Sequence, residues 1–137
     1  MNQFLLDTNI CVHLLKNEYG IKEKIAAVGT KSCFLSEITI AELLYGIENS
    51  APTKRKENIE CFENLRSLFL GRTLPISNVL YEYARQKASV RRIGRPVGEF
   101  DLLIGATSIV HGLTLVTRNT KDFQNLERIQ LENWIDA

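Results

Sequence analysis

Short apolar runs alternate with longer segments of helical periodicity, and this alternation strongly limits the folds available to the chain. The runs lie at residues 4–6, 33–35, 73–76, 113–116 and 129–131. Between them, apolar side chains recur every three or four residues, as on one face of a helix, and Ser36 and Ser77 suit the N-caps of two such helices. No dipeptide typical of a tight hairpin joins two runs. The pattern predicts an α/β fold with a parallel sheet covered by helices.

Length and composition predict one domain spanning residues 1–137. The chain is 45% apolar and 24% charged, which is ordinary for a soluble globular protein. Its 17 Lys and Arg residues against 16 Asp and Glu residues leave no overall charge that would favour a polyanion. No run reaches the ~20 apolar residues of a membrane span, and the 3 separated cysteines suit free thiols. We therefore expect a cytoplasmic protein without a membrane partner.

Three acidic residues occupy positions where such a fold would bring them together. Asp7 directly follows the first apolar run, Glu42 interrupts an apolar helix, and Asp101 opens another helix. In open parallel sheets, ligands bind beyond the carboxyl ends of the strands, where Ser36 and Thr117 also fall. Carboxylate oxygens suit Mg²⁺ or Mn²⁺, and a metal would relieve the repulsion between converging carboxylates. The sequence therefore favours metal-assisted phosphate chemistry.

Each of these acids also has a structural explanation. Asp7 would serve as a helix N-cap, although Thr8 or Asn9 would suit that position too. Glu42 would lie in a buried salt bridge. Asp101 would be stabilised by the dipole at the start of its helix. On sequence grounds these explanations stay open.

Four motifs, taken in order, resemble those of the PIN domain family over essentially the whole chain. They are Leu6-Asp7-Thr8-Asn9, Thr39-Ile40-Ala41-Glu42-Leu43 with Tyr45-Gly46, Asp101-Leu102-Leu103-Ile104-Gly105-Ala106, and Thr117-Arg118-Asn119, with Asn133-Trp134 near the end. They are most similar to the VapC ribonuclease toxins of type II toxin–antitoxin systems. The resemblance implies a PIN-like fold, in which helices cover both faces of a central parallel sheet. It also implies Mg²⁺-dependent cleavage of RNA, in a tRNA or ribosomal RNA loop, by metal-activated water.

By this resemblance, Asp7, Glu42 and Asp101 hold the Mg²⁺ ion, for which Mn²⁺ could substitute. The same three acids and Asn119 are then the catalytic residues. Asn119 stands where many PIN domains have a fourth acid, and its neutral amide argues against a second tightly held metal. Asp122 could replace that acid, or it could simply cap a short helix.

Polar and basic side chains are expected around the carboxylates. Those expected to hydrogen-bond the carboxylates or the substrate are Thr8, Asn9 and Thr117. A basic stretch before the third acid could bind the phosphate backbone, or it could form a solvated helix face. Its members nearest to that acid are Arg91, Arg92 and Arg95, and the rim continues after the strand at 113–116 with Arg118 and Lys121.

The resemblance also implies partners. A cognate VapB-type antitoxin would block the acidic groove, and a homodimer or a larger toxin–antitoxin assembly is expected. Two other interpretations compete with a ribonuclease. A catalytically silent PIN module would bind partners without cleaving RNA. A receiver-like signalling domain would also carry an acidic Mg²⁺ pocket, but residues 51–81 contain no Asp to accept a phosphoryl group.

Overall fold

In a computed structural model, which describes residues 2–136, the chain forms a five-stranded sheet with helices on both faces. The strands are β1 (Phe4–Leu6), β2 (Cys33–Ser36), β3 (Thr73–Leu74), β4 (Thr114–Val116) and β5 (Leu131–Glu132). The helices are α1 (Thr8–Leu15), α2 (Ile21–Val28), α3 (Glu37–Glu48), α4 (Pro52–Leu68), α5 (Leu80–Arg92), α6 (Glu99–Val110) and α7 (Thr120–Phe123). Neighbouring strands are parallel, in the order β3-β2-β1-β4-β5. The predicted α/β fold is confirmed.

Two hydrophobic cores lie on opposite faces of the sheet, because successive side chains of a strand point to opposite faces. In β1, Phe4 and Leu6 join the core that packs against α1 to α4, whereas Leu5 joins the core against α5 to α7. In β4, Val116 and Leu115 divide in the same way. Burial on both faces explains why the central strands are uninterrupted apolar runs rather than alternating ones.

Several predicted element boundaries are wrong, including the start of β4, at Thr114 rather than residue 113, and the start of α6, at Glu99 rather than Asp101. The third strand ends at Leu74, because Pro75 has no N–H to donate to a sheet. The fifth strand begins at Leu131 rather than at residue 129, since pairing with β4 begins there. Ser77 is not an N-cap, because a turn over residues 77–79 delays the start of α5 to Leu80.

The carboxyl ends of the three central strands meet at one edge of the sheet. Asp7 follows β1, and its N–H donates to the carbonyl of Val116 at 2.9 Å. Thr117 follows β4, and its N–H donates to the carbonyl of Glu132 at 3.0 Å. Ser36 ends β2 and caps α3, as predicted. The polar residues that the sequence placed after the strands therefore share this edge.

Two further structural features concern the cysteine thiols and the length of the helices. Cys11 and Cys33 are buried free thiols, and Cys61 is a half-buried free thiol. Among the helices of residues 2–136, none combines the length and the apolar character needed to cross a bilayer.

Candidate functional site

Asp7 is a buried carboxylate held by three hydrogen bonds. Only 5% of its surface is exposed. Its Oδ1 accepts from the N–H of Thr8 at 2.8 Å, so it caps α1 as one sequence explanation required. Its Oδ2 accepts from Thr117 Oγ1 at 2.8 Å and from Asn9 Nδ2 at 3.3 Å. The helix cap uses only Oδ1. Oδ2 therefore bonds instead to Thr117, which follows the neighbouring strand β4.

Glu42 is tied to the same edge through the residue that follows Asp7. Thr8 Oγ1 donates to Glu42 Oε1 at 2.5 Å, and it also lies 3.1 Å from Thr39 Oγ1. Glu42 is half-buried and forms no ion pair with any residue between 2 and 136. The salt-bridge explanation for Glu42 is therefore wrong for the described part of the chain.

Asp101 lies in the first turn of α6 and is half-buried. Burial, together with nearby negative charges, raises the pKa of Asp101 to about 6. Those charges belong to Asp7, Asp122 and Glu42. Burial likewise raises the pKa of Asp7 above its usual value, despite the opposing hydrogen bonds from Thr117 and Thr8. The negative charges of Glu42 and Asp122 add to that rise. Four carboxylates are thus close enough to repel one another.

Asp122 belongs to this group, although only an alternative role was predicted for it. The N-cap of α7 is Asn119, so Asp122 is not the cap of that helix. The Asn119 side chain is exposed, and its backbone N–H donates to Thr117 Oγ1 at 3.1 Å. A spacing of three residues on a helix is the signal that could have placed Asp122 beside Asn119. The catalytic role of Asn119 stays a prediction.

The donor set suits a hard divalent cation, because it consists of carboxylates without counter-charges. No ion pair within residues 2–136 involves Asp7, Glu42 or Asp101. Their oxygens are the ligands that Mg²⁺ and Mn²⁺ prefer. Within the same residues, no three acidic, His or Cys side chains already lie close enough together to share one ion. Binding would therefore require the side chains to draw together.

The carboxylates border two hollows of different character. The first, called here the polar cleft, has a volume of about 480 Å³, lies between residues 94–98 and α7, and is lined by Arg95, Asp101, Lys121 and Asp122 among others. The second, called here the apolar groove, has a volume of about 290 Å³. Its walls come from α1, α3 and α4 and include Thr8, Val12, Lys16, Glu42, Leu43, Ile47 and Phe62. Each hollow thus contains one of the three predicted metal-binding acids.

In the predicted basic rim, some side chains contact other residues of the protein, whereas others are exposed. Arg118 pairs with Asp136 at 3.3 Å, and its guanidinium lies 4.9 Å from the centre of the Tyr19 ring. Glu99, a carboxylate close to Asp101 in sequence, pairs with Lys87 at 2.5 Å. Arg91, Arg92 and Arg95 are all exposed, and of these three arginines Arg95 lines the polar cleft. The contacts of these arginines with phosphate stay a prediction.

Comparison with known proteins relates the whole chain to one family. A model of the PIN domain family matches residues 4–129. The chain is 34% identical to the tRNA(fMet)-specific endonuclease VapC of Shigella flexneri, over 98% of this chain and 99% of that protein. It is similar to DNA-bound VapBC from Salmonella typhimurium, with 31% identity, a TM-score of 0.87, and 98% and 99% of the two chains covered. It is also similar to FitAcB from Neisseria gonorrhoeae, with 28% identity, a TM-score of 0.89, and 98% and 100% covered.

Proposed function

The chain belongs to the PIN domain family and within it to the VapC ribonucleases, and on this premise we propose that it is a metal-dependent endoribonuclease. One observation supports the proposal most directly. At the carboxyl edge of the parallel sheet, where ligands of such sheets bind, Asp7 and Asp101 lie close enough to Glu42 and Asp122 for their negative charges to repel. The family match over residues 4–129 supports a single PIN domain over residues 1–137.

The divalent metal is Mg²⁺ in this proposal, with Mn²⁺ as a substitute. Asp7, Glu42 and Asp101 would hold it, because their oxygens are hard ligands without counter-charges. When bound, Mg²⁺ would lower the pKa of a water molecule and neutralise the charge that develops on the phosphoryl group. Asp122 is the candidate for the fourth acid that Asn119 does not supply. The amide of Asn119 would orient water or substrate without adding charge.

The protein's own polar residues hold the carboxylates in position. Thr117 and Asn9 fix Oδ2 of Asp7, and Thr8 fixes Glu42. The nucleophile is a water molecule, so its oxygen forms the new bond to phosphorus and the bond from phosphorus to the 3′-oxygen breaks. The products then carry a 5′-phosphate and a 3′-hydroxyl. Nothing in this step uses the 2′-hydroxyl of the RNA.

A tRNA loop is the substrate that we propose, rather than a ribosomal RNA loop, because a relative is named for tRNA(fMet). Such loops expose unstacked bases, which proteins can read in single-stranded RNA. A free RNA-cleaving enzyme endangers its host, so a VapB-type antitoxin is the expected partner. The similar structure of VapBC supports that partner, and we also propose a homodimer or a larger toxin–antitoxin assembly. Its RNA substrate and its free cysteines support a cytoplasmic location.

Sequencing the 5′-phosphate ends of total cellular RNA after brief induction tests this function. Asp7→Asn is the matched control, because asparagine also caps helices but carries no charge. New 5′-phosphate ends at one or a few tRNA positions, absent from the control, are expected. Identical profiles from wild type and control, with both proteins folded and free of antitoxin, would favour the catalytically silent module.

A further inference from the structure

Two cations stand beside the acids in the polar cleft without being neutralised. Arg95 and Lys121 line this cleft together with Asp101 and Asp122. Both cations are exposed, and neither forms an ion pair with any residue from 2 to 136. Lys87, in contrast, is paired with a carboxylate near the same site. The cleft therefore presents positive charge that the described residues leave available.

The two hollows beside the carboxylates differ in what they can hold. Apolar side chains, among them Val12, Leu43 and Phe62, dominate the lining of the apolar groove, and Lys16 is its basic member. The polar cleft has little apolar surface and contains two unpaired cations. An RNA strand carries one negative charge per phosphate, and phosphate contacts from Lys and Arg account for most nonspecific affinity. The polar cleft is therefore the better path for the strand.

We propose that the RNA strand passes through the polar cleft, where Arg95 and Lys121 bind the phosphates next to the cleaved bond. The proposal rests on the function proposed above, since it assumes an RNA substrate. It makes Arg95 and Lys121 substrate-binding residues of the cleft, one from the loop before α6 and one from α7. Arg91 and Arg92 do not line the cleft, and their contacts with phosphate stay a prediction.

Salt-dependent binding to a fluorescein-labelled single-stranded RNA of mixed sequence tests this path. All proteins carry Asp7→Asn to prevent cleavage, and affinity is measured between about 50 and 300 mM salt. Arg95→Gln and Lys121→Gln should each weaken binding about tenfold and reduce the slope of log affinity against log salt by about 0.7 to 1. Lys121→Arg should keep the slope. All these positions are exposed, so the variants should fold normally, and thermal unfolding checks this.

Two lysine variants serve as matched controls. Lys16→Gln removes the cation of the apolar groove, and Lys24→Gln removes an exposed charge that lines neither hollow. Both should leave the salt slope unchanged. A larger effect of Lys16→Gln than of the cleft variants would place the strand in the apolar groove and overturn the proposal. Equal effects of all four substitutions would mean that only the net charge of the protein determines RNA binding. That result would also overturn the proposal.

Cleavage by the protein with an intact Asp7 separates this proposal from the proposed function. If that protein cleaves tRNA but the cleft variants bind normally, the path is wrong and the nuclease stands. If it cleaves no RNA while the cleft variants show the expected smaller salt slope, the proposed nuclease function is wrong. The cleft then remains an RNA-binding surface.

Discussion

Replacing Asp101 with asparagine is expected to stabilise the metal-free protein at neutral pH. The folded-state pKa of Asp101 rises from 3.8 to about 6. A carboxyl group whose pKa is higher in the folded state destabilises that state as it ionises, here as the pH rises from about 4 to about 6. The full rise corresponds to about 3 kcal/mol. Because the side chain is only half-buried, solvent screening reduces the expected value to about 2 kcal/mol.

Urea unfolding in the presence of a chelator measures this effect, with Trp134 as the fluorescent probe. Trp134 is the only tryptophan and is buried. Asp101→Asn should exceed wild type in free energy of unfolding by about 2 kcal/mol near pH 8 and equal it near pH 4. Added Mg²⁺ should stabilise wild type more than the variant, because the ion binds the ionised carboxylates of the folded state.

Glu99→Gln provides a control of opposite sign two residues away. The Lys87 ammonium lowers the pKa of Glu99, so removing this carboxylate should not stabilise the protein near neutral pH. If Asp101→Asn were no more stable than wild type near pH 8, neither burial nor repulsion between the carboxylates would raise the pKa of Asp101. The electrostatic basis of the proposed metal site would then be refuted.

Three further substitutions test how the site is supported. Thr117→Val removes the hydroxyl that donates to Asp7 at 2.8 Å. The free energy of unfolding should therefore fall by about 1 to 3 kcal/mol, and RNA cleavage should decrease. Unchanged stability in urea would contradict the hydrogen bond. Gly105→Ala places a Cβ 2.4 Å from Leu126 Cδ1, so urea unfolding should show about 1 to 3 kcal/mol of destabilisation, and a neutral result would mean that the leucine moves freely. Asp122→Asn should weaken Mn²⁺ binding in a calorimetric titration about tenfold, whereas an unchanged affinity would exclude it as the fourth acid.

The local periodicity of the sequence was sufficient to predict the α/β architecture. Each passage from a strand to a helix depends on residues that are neighbours in the sequence. The apolar run that ends at Asp7 and the run followed by Ser36 both predicted strands with polar residues at their carboxyl ends. Strand boundaries that depend on pairing with another strand were harder to predict from the sequence. The start of β5 is set by its register with β4, which is distant in sequence. The early end of β3 follows from Pro75 and could have been predicted.

Contacts between residues far apart in sequence were the part that could not be predicted. Nothing near Arg118 indicates that its side chain lies against Tyr19 and pairs with Asp136 instead of facing a phosphate. Tyr19 has a φ of 58°, a left-handed conformation that local propensity does not anticipate for a non-glycine residue. The proximity of Asp122 to the other acids likewise depends on how α7 packs against α6 and β5. The metal-binding roles of the carboxylates stay predictions.

Incubating purified protein with a tRNA(fMet) transcript, with and without Mg²⁺, is the most direct measurement of the proposed chemistry. The termini of any fragments are then identified, and Asp7→Asn is run in parallel. We expect fragments with 5′-phosphate and 3′-hydroxyl ends from wild type with Mg²⁺, and intact RNA with chelator or with the variant. Fragments that end in a 2′,3′-cyclic phosphate, or cleavage that persists in chelator, would contradict hydrolysis by a metal-activated water.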